Sequence, residues 1–373
     1  MIQNAYWTIQ EAAKEWGIST RRVTTLCKEG RIPDAGRLGK TWAIPINSEK
    51  PVDDRSRDDF KLNEGAKPFI KWAGGKGQLL SSIRKIYPKN LGTEITKYAE
   101  PFIGGGAVLF DVLNNYEGIE EAYISDINTE LITTYKTIRD NVDELIETLE
   151  SYQNTHLPLD AEKRKEYYFS KRAEYNEQIV LSNPDPLIVA SLFIYLNKTC
   201  FNGLYRVNSS GLFNVPSGIY KNPLICDKDN LLKVSEKLQK VRIENKNYNE
   251  SWDFIDENTF AYFDPPYRPL TVSSSFTSYT ELSFDDNNQR ELAEYVHKLS
   301  DKGAMVAVSN SDPKNVDPND NFFDELYSYA IVHRVMANRM INSKGSGRGK
   351  ISEILVTNYP VVESGEITLD NYL

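Results

Sequence analysis

Short apolar runs, each ending at a carboxylate or a glycine turn, constrain this chain more than any other feature. Tyr98–Ala99 leads into Glu100–Pro–Phe–Ile–Gly–Gly–Gly106, Glu121–Ala–Tyr–Ile–Ser125 ends at Asp126, and the run from Thr259 to Phe263 ends at Asp264. Runs of this length without polar alternation fit strands buried on both faces. Helical patterns lie between and after them, from Asn128 to about Glu177 and from Asp285 to Lys298, and Ala304–Val308 and Glu353–Thr357 read as further strands. Strands alternating with helices predict an α/β fold with a mostly parallel sheet. The stretch of roughly 129–226, helical and then rich in Gly, Asn and turns, reads as an insertion in that sheet.

Residues 1–47 read as a separate small unit. Thr8 and Glu11 have capping-box spacing, Ala12, Ala13 and Trp16 follow at helical intervals, and Gly17 suits a helix C-cap. Ser19 then caps a second helix through Arg22, Val23, Leu26 and Cys27, ending at Gly30. Two short helices about a glycine turn follow the helix-turn-helix plan, with Arg21 and Arg22 near the start of the second. The run Arg37–Pro45 reads as a hairpin wing, so the unit resembles winged helix-turn-helix modules of the excisionase and MerR type. Gly39–Lys40–Thr41 ends like a phosphate-binding loop, but the glycine required five positions before Gly39 is missing. Residues 48–65 are polar, without apolar periodicity, and read as a linker. The main domain is expected over 66–362.

Net charge is −9 over 373 residues, which by itself argues against a nucleic-acid partner. Its distribution argues the other way. Residues 1–50 hold eight Lys/Arg against five Asp/Glu, a net of +3. Two further stretches contain no acid: 196–222, with Lys198, Arg206 and Lys221, and 333–350, with Arg334, Arg339, Lys344, Arg348 and Lys350. Interleaved with Tyr, Phe and Asn, they suit phosphate-facing surfaces, although any one charge run can be a solvated face. The longest apolar run, Leu187–Leu196, is about half a membrane span, and the N-terminus lacks a signal-peptide pattern. The cysteines (Cys27, Cys200, Cys226) have neither disulfide nor zinc spacing. These features suit a cytoplasmic protein, and no metal site is indicated.

The chemistry-bearing residues lie at the strand ends. A glycine cluster lets a ligand approach the backbone closely, and a carboxylate ending the next strand, Asp126, can accept bonds from both ribose hydroxyls of a nucleoside cofactor. The spacing is not the dinucleotide fingerprint. At Asp264–Pro265–Pro266–Tyr267, two prolines end a buried strand and hold Asp264 and the Pro265 carbonyl in a rigid edge. Accepting both N–H bonds of an exocyclic base amine favours a pyramidal nitrogen and frees its lone pair, and Tyr267 offers a face for stacking, worth ~1–3 kcal/mol.

Taken with Lys67–Pro–Phe–Ile–Lys–Trp–Ala–Gly–Gly–Lys76, these motifs resemble, in order, the Dam-type family of DNA adenine-N6 methyltransferases (the D12 class, GATC-methylating type). Phe201–Asn–Gly–Leu–Tyr–Arg206, Phe213–Asn–Val–Pro216, Gly218–Ile–Tyr–Lys221, Ser309–Asn310 and Gly349–Tyr359 extend the likeness across roughly 66–360. The resemblance implies a Rossmann-like mixed sheet with one antiparallel strand near the end and an inserted target-recognition region. It implies an S-adenosyl-L-methionine pocket lined by Trp72, Gly74, Lys76, Glu100, Phe102, Gly104, Asp126, Ile127 and Asp264. Asp264, Pro265, Pro266 and Tyr267 would hold a target adenine flipped out of duplex DNA. Phe201 and Asn202 would wedge the stack, Arg206 and Lys71 would read guanines, and Leu204 and Pro216 would meet a thymine. Arg339, Lys344 and Arg348 would meet the DNA backbone, and GATC is the expected site. Thr199 and Cys200 depart from the bulkier residues of some members, which leaves flanking preference open.

Transfer would be direct, since no cysteine follows a proline as the nucleophile of cytosine-C5 enzymes does. The scattered His156, His297 and His333 read as surface or core residues. Two alternatives remain open at this level: the same chemistry on cytosine N4, disfavoured by Asp rather than Ser before the prolines, and a DNA-binding regulator without turnover.

Overall fold

The computed structural model describes residues 6–28, 30–33, 35–39, 41–46, 48, 50, 65–268, 284–338 and 350–361. The chain divides into two compact units, Met1–Lys61 and Leu62–Leu373.

In the first unit the elements are β1 (Tyr6–Trp7), α1 (Ile9–Trp16), α2 (Thr20–Lys28), β2 (Gly36–Leu38) and β3 (Thr41–Pro45). The Thr8 side chain accepts from Glu11 N, and the Glu11 carboxylate accepts from Thr8 N at 2.8 Å, so the two orphan N–H groups are met reciprocally. Gly17, at φ 64°, ends α1 in the left-handed region where a side chain would be strained. Ser19 Oγ accepts from Arg22 N at 3.2 Å at the start of α2. Ala12, Ala13, Trp16, Val23, Leu26, Cys27 and Ile44 form one small core. The strands form an antiparallel sheet in the order β1-β3-β2, and β1 is an edge that the sequence reading did not contain.

In the second unit α3 (Leu80–Ile83) precedes β4 (Lys97–Glu100), α4 (Ala107–Asn115) and β5 (Glu121–Ser125). A run of helices follows: α5 (Thr129–Asp140), α6 (Val142–His156), α7 (Ala161–Ile179), α8 (Pro186–Thr199) and α9 (Lys228–Leu238). Then come β6 (Val241–Glu244), β7 (Thr259–Phe263), α10 (Asp286–Asp301), β8 (Met305–Ser311), α11 (Phe322–Leu326), β9 (Ile331–Asn338) and β10 (Lys350–Thr357). The seven strands run in the order β6-β5-β4-β7-β8-β10-β9. The pairs β6/β5, β5/β4, β4/β7 and β7/β8 are parallel, while β10 lies antiparallel between β8 and β9. A mostly parallel α/β sheet is thus present, and β6 and β9 are additions to the sequence reading.

Period-2 geometry sends alternate residues to opposite faces, and each face has its own core. Tyr98, Ala122, Ile124, Phe260, Tyr262, Ala307 and Leu355 pack with α4, α5, α8 and α9. Ala99, Tyr123, Ala261, Phe263, Val306, Val308, Ile354 and Val356 pack on the other side with Leu292, Ala293, Val296 and Leu299 of α10. Every residue of β7 is buried, which explains its unbroken apolar run. Fully burying a side chain such as Phe260 contributes about 1.5–3 kcal/mol. Strand order reverses between β4 and β7, so Glu100 and Asp264 end strands on either side of the switch point where open α/β sheets bind ligands.

Among the described residues no helix is long and apolar enough to cross a membrane, and no group of three or more His, Cys, Asp or Glu could hold a metal ion. His156 is buried against Tyr195 Oη at 2.9 Å, and burial, followed by the nearby Arg164 charge, lowers its pKa to about 4.

Candidate active site and nucleic-acid interface

The turn after β4 is shaped by its glycines. Gly104 has φ 46°, and a Cβ there would lie 2.7 Å from Trp72 Cδ1, so the indole packs this close to the turn only because no side chain intervenes. Gly104 N donates to Asp126 Oδ2 at 3.2 Å, while Asn128 N donates to Oδ1 at 3.0 Å. The half-buried Asp126 is therefore aimed by backbone N–H groups and keeps lone pairs for further donors. Burial raises its pKa, against these backbone bonds. Ile127 beside it is 61% exposed, an apolar surface suited to cover by a flat ring. Phe102 stacks on Tyr248 with centroids 5.3 Å apart. A ribose diol, whose hydroxyls donate, and the face of a base fit this acceptor and apolar set.

Across the switch point, Lys76 reaches the Asp264 carboxylate. Its Nζ lies 2.6 Å from Asp264 Oδ1, donates to the Gly74 carbonyl at 2.9 Å and sits 4.5 Å from the Tyr267 ring centroid. Ser309 Oγ also donates to Asp264 Oδ1, at 2.7 Å, and Tyr262 Oη donates to Ser309 Oγ at 3.0 Å. Both donors converge on Oδ1. Among the described residues, Asp264 Oδ2 and the carbonyl of the buried Pro265 accept no hydrogen bond. Tyr267 is held through its hydroxyl, which donates to Glu353 Oε2 at 2.7 Å. The edge thus offers two adjacent acceptors and a fixed ring, an arrangement that can bind an aromatic amine by both N–H bonds.

Glu100 is buried beside this edge and accepts from Tyr98 Oη at 2.7 Å. Burial above all, with the Asp264 charge adding to it, pushes its pKa up to about 8. A carboxyl whose folded pKa is raised contributes stability that is full below its ordinary value of 4.5 and is lost as pH rises through about 8. For Glu100→Gln, denaturant titrations from pH 5 to 8.5 should show a flatter stability curve than wild type, by up to about 1.4 kcal/mol per pH unit within that window. Parallel curves for the two proteins would mean that Glu100 is ionised throughout.

A second cluster joins residues far apart in sequence. Asn197, in α8, holds both the N–H (2.8 Å) and the carbonyl (2.7 Å) of Lys71 through its side-chain amide. Lys71 Nζ lies 5.1 Å from the Tyr220 ring centroid, and its stem fills the space a Cβ on Gly203 would occupy. Bridges between Cys200 and Ser217 and between Val207 and Phe213 fold 200–217 back on itself. On this hairpin Phe201 is 50% exposed, Leu204 is 43% exposed, and Asn202 has φ 56°. Pro216 is exposed, and its carbonyl accepts from Phe201 N at 2.9 Å. Arg206 is exposed, with Nε donating to Asn214 Oδ1 at 2.7 Å, which orients the guanidinium. Trp72 stacks on Tyr205 at 5.4 Å, so one indole touches both the glycine turn and this hairpin.

One member of a basic stretch is corrected. Arg334 has no acid near it in sequence, but its guanidinium bonds Asp312 Oδ2 at 3.2 Å and Asp324 Oδ2 at 2.7 Å. Acids from the β8–α11 region neutralise it, so it is a structural ion pair rather than a phosphate contact. Arg339, Lys344 and Arg348 lie outside the described residues. Sequence reasoning gave no role to Tyr262, Ser309 or Glu353. Ser309 meets Asp264 because β7 and β8 pair in parallel with Phe263 opposite Val308, a register that no local pattern contains.

Comparison with known proteins agrees with this geometry. The family described as D12 class N6 adenine-specific DNA methyltransferase matches residues 72–341. The chain is 48% identical to the type II methyltransferase M.MjaIII of Methanocaldococcus jannaschii, covering 79% of this chain and 99% of that one. It is 38% identical to the type II methyltransferase M1.LlaDCHI of Lactococcus lactis subsp. cremoris, over 79% and 95% of the two chains. Against the DNA adenine methylase of Escherichia coli K12 the identity is 33%, over 79% and 96%. The family match and these relatives identify a DNA methyltransferase that acts on adenine. The chain belongs to the D12 class of N6 adenine-specific DNA methyltransferases.

Proposed function

We propose that the protein transfers a methyl group from S-adenosylmethionine to the adenine amine of GATC in duplex DNA, after flipping that adenine out of the stack. The observation that carries the reading is the pair of acceptors at the end of β7: Asp264 Oδ2 and the Pro265 carbonyl, without a donor among the described residues while Lys76 and Ser309 occupy Oδ1. Two acceptors match the two N–H bonds of the amine. By accepting both they favour a pyramidal nitrogen, whose lone pair then lies out of the ring. Tyr267, fixed by Glu353, supplies the stacking face, and Pro266 completes the rigid edge.

The cofactor pocket fits the residues present. Asp126, Ile127, Phe102 and Glu100 would surround the nucleoside half, with Trp72, Gly74, Lys76 and Gly104 shaping the loop side and Asp264 nearby. When bound, S-adenosylmethionine supplies a methyl group already activated on a sulfonium. The protein's part is positioning and exclusion of water, which can supply most of the acceleration. For the DNA, exposed Phe201 and Asn202 suit a wedge at the vacated base pair. Arg206 and Lys71 suit guanine contacts, and Leu204 and Pro216 suit a thymine methyl. The region 129–226 is read as the recognition insertion within 66–362.

Residues 1–47, read as a winged helix-turn-helix, would add DNA or protein contacts through α2. Deleting residues 1–60 is expected to leave the methylated site unchanged, because the recognition residues lie elsewhere. Sequencing of methylated positions in a plasmid checks this, and an altered site would refute it.

The test of the main reading is transfer of label from S-adenosylmethionine to two duplexes that differ only as GATC and GTTC. Label on the adenine of the first alone is expected. Label on both would retain the enzyme and reject the site. Label on neither, with cofactor bound, would favour a DNA-binding role without turnover.

A further inference from the structure

One buried polar side chain outside the strand edge holds the catalytic segment in place. Gln289 lies in α10 on a helix face that is otherwise apolar, beside Leu292, Ala293 and Val296. It is 0% exposed, although glutamine is mostly a surface residue. Its amide is engaged at both ends. Nε2 donates to the Pro266 carbonyl at 3.0 Å, and Oε1 accepts from Asn310 Nδ2 at 3.0 Å. Asn310 is 1% exposed, and its Oδ1 accepts from Arg268 N at 3.1 Å, while Ser311 Oγ donates to the Arg268 carbonyl at 2.9 Å. A buried amide costs stability unless its partners are met, and an apolar residue would serve this helix face as well. What distinguishes the glutamine is the carbonyl it holds.

Proline locks φ at 265 and 266, so ψ at these two residues is the soft freedom between Asp264 and Tyr267. Pinning the Pro266 carbonyl from α10 and Arg268 N–H from β8 restrains that freedom from two elements of the rigid sheet. It also sorts the two proline carbonyls: that of Pro266 is occupied, and that of Pro265, which accepts from no described residue, is left for substrate. We propose that Gln289 is a positioning residue for methyl transfer, fixing the aim of the Pro265 carbonyl and the Asp264 carboxylate at the adenine amine. This rests on the reading that those two groups hold the amine.

Gln289→Met keeps length and apolar fit but removes both hydrogen bonds. Gln289→Leu removes both as well, with a shorter apolar side chain. In single-turnover assays with saturating duplex and S-adenosylmethionine, both should lower the transfer rate constant by about 10²-fold, the scale of a small misalignment. KM for the cofactor and Kd for the duplex should stay within about twofold, since the lost interaction acts on the reacting geometry rather than on binding. A rate within about twofold of wild type in either folded variant, or a loss of binding that matches the loss of rate, overturns the proposal. If neither variant yields folded protein by thermal melting, the role is structural and the proposal fails. Asp264→Ala in the same assay separates the two readings. An inactive Asp264→Ala beside a fully active Gln289→Met sinks only the positioning role, while an active Asp264→Ala sinks the amine-holding edge itself.

Discussion

Asp264→Ala is expected to reduce methyl transfer on the order of 10³-fold, the loss typical when a group aimed at developing charge is removed from a dry site. The alanine variant also strands Lys76, which is 5% exposed and has Asp264 as its ion-pair partner. Breaking a buried pair from one side costs about 3–5 kcal/mol, so instability could mimic a catalytic loss. Asp264→Asn separates the two. It retains a carbonyl oxygen for Lys76 and Ser309 to bond, but it replaces the second acceptor with an N–H group that repels the amine's own N–H. The asparagine variant keeps the hydrogen bonds though not the counter-charge of Lys76, so it should melt closer to wild type than the alanine variant, bind duplex, and still lose transfer. Single-turnover transfer, filter binding and thermal melting measured on the same preparations decide it. An asparagine variant that keeps a tenth or more of the wild-type rate would refute the role given to the second carboxylate oxygen.

Arg206→Ala should lower discrimination at the guanine of the site by about 10- to 100-fold, corresponding to ~1–3 kcal/mol for a bidentate contact. The structure gives this side chain a defined direction, because Asn214 accepts from Nε at 2.7 Å and, more weakly, from Nη2 at 3.5 Å, which fixes the plane of the guanidinium. Arg206→Lys should fail to restore discrimination, since an ammonium keeps the charge and lacks the planar fork. The measurement is kcat/KM on GATC and on duplexes substituted at the guanine. Equal losses on matched and mismatched duplexes would instead mark Arg206 as a phosphate contact, with a lower salt slope as its signature.

The local layer of this protein was legible from its residues. The Thr8–Glu11 capping box, the Gly17 helix end and the Ser19 cap involve partners within four residues, so short-range chemistry suffices to see them. The unbroken apolar run of β7 signals burial on both faces, and the two prolines that follow necessarily end it. Strands β6 and β9 escaped because Val241–Glu244 alternates with charge and Ile331–Asn338 carries His333 and Arg334. Their strand identity comes from the neighbour each pairs with.

By itself the sequence determined the class of fold, the glycine turn with Asp126, and the Asp264–Tyr267 edge. Each of these follows from dihedral limits and hydrophobic period within a few residues. Tertiary structure alone decided which groups finish the site: Lys76 and Ser309 on Asp264, Glu353 on Tyr267, Gln289 on Pro266, and Asn197 bracing Lys71. It also decided that Arg334 is neutralised by Asp312 and Asp324. The reason is physical. Parallel strands bring together side chains separated by tens to hundreds of residues, and the pairing register that sets these contacts depends on the burial of whole sheet faces.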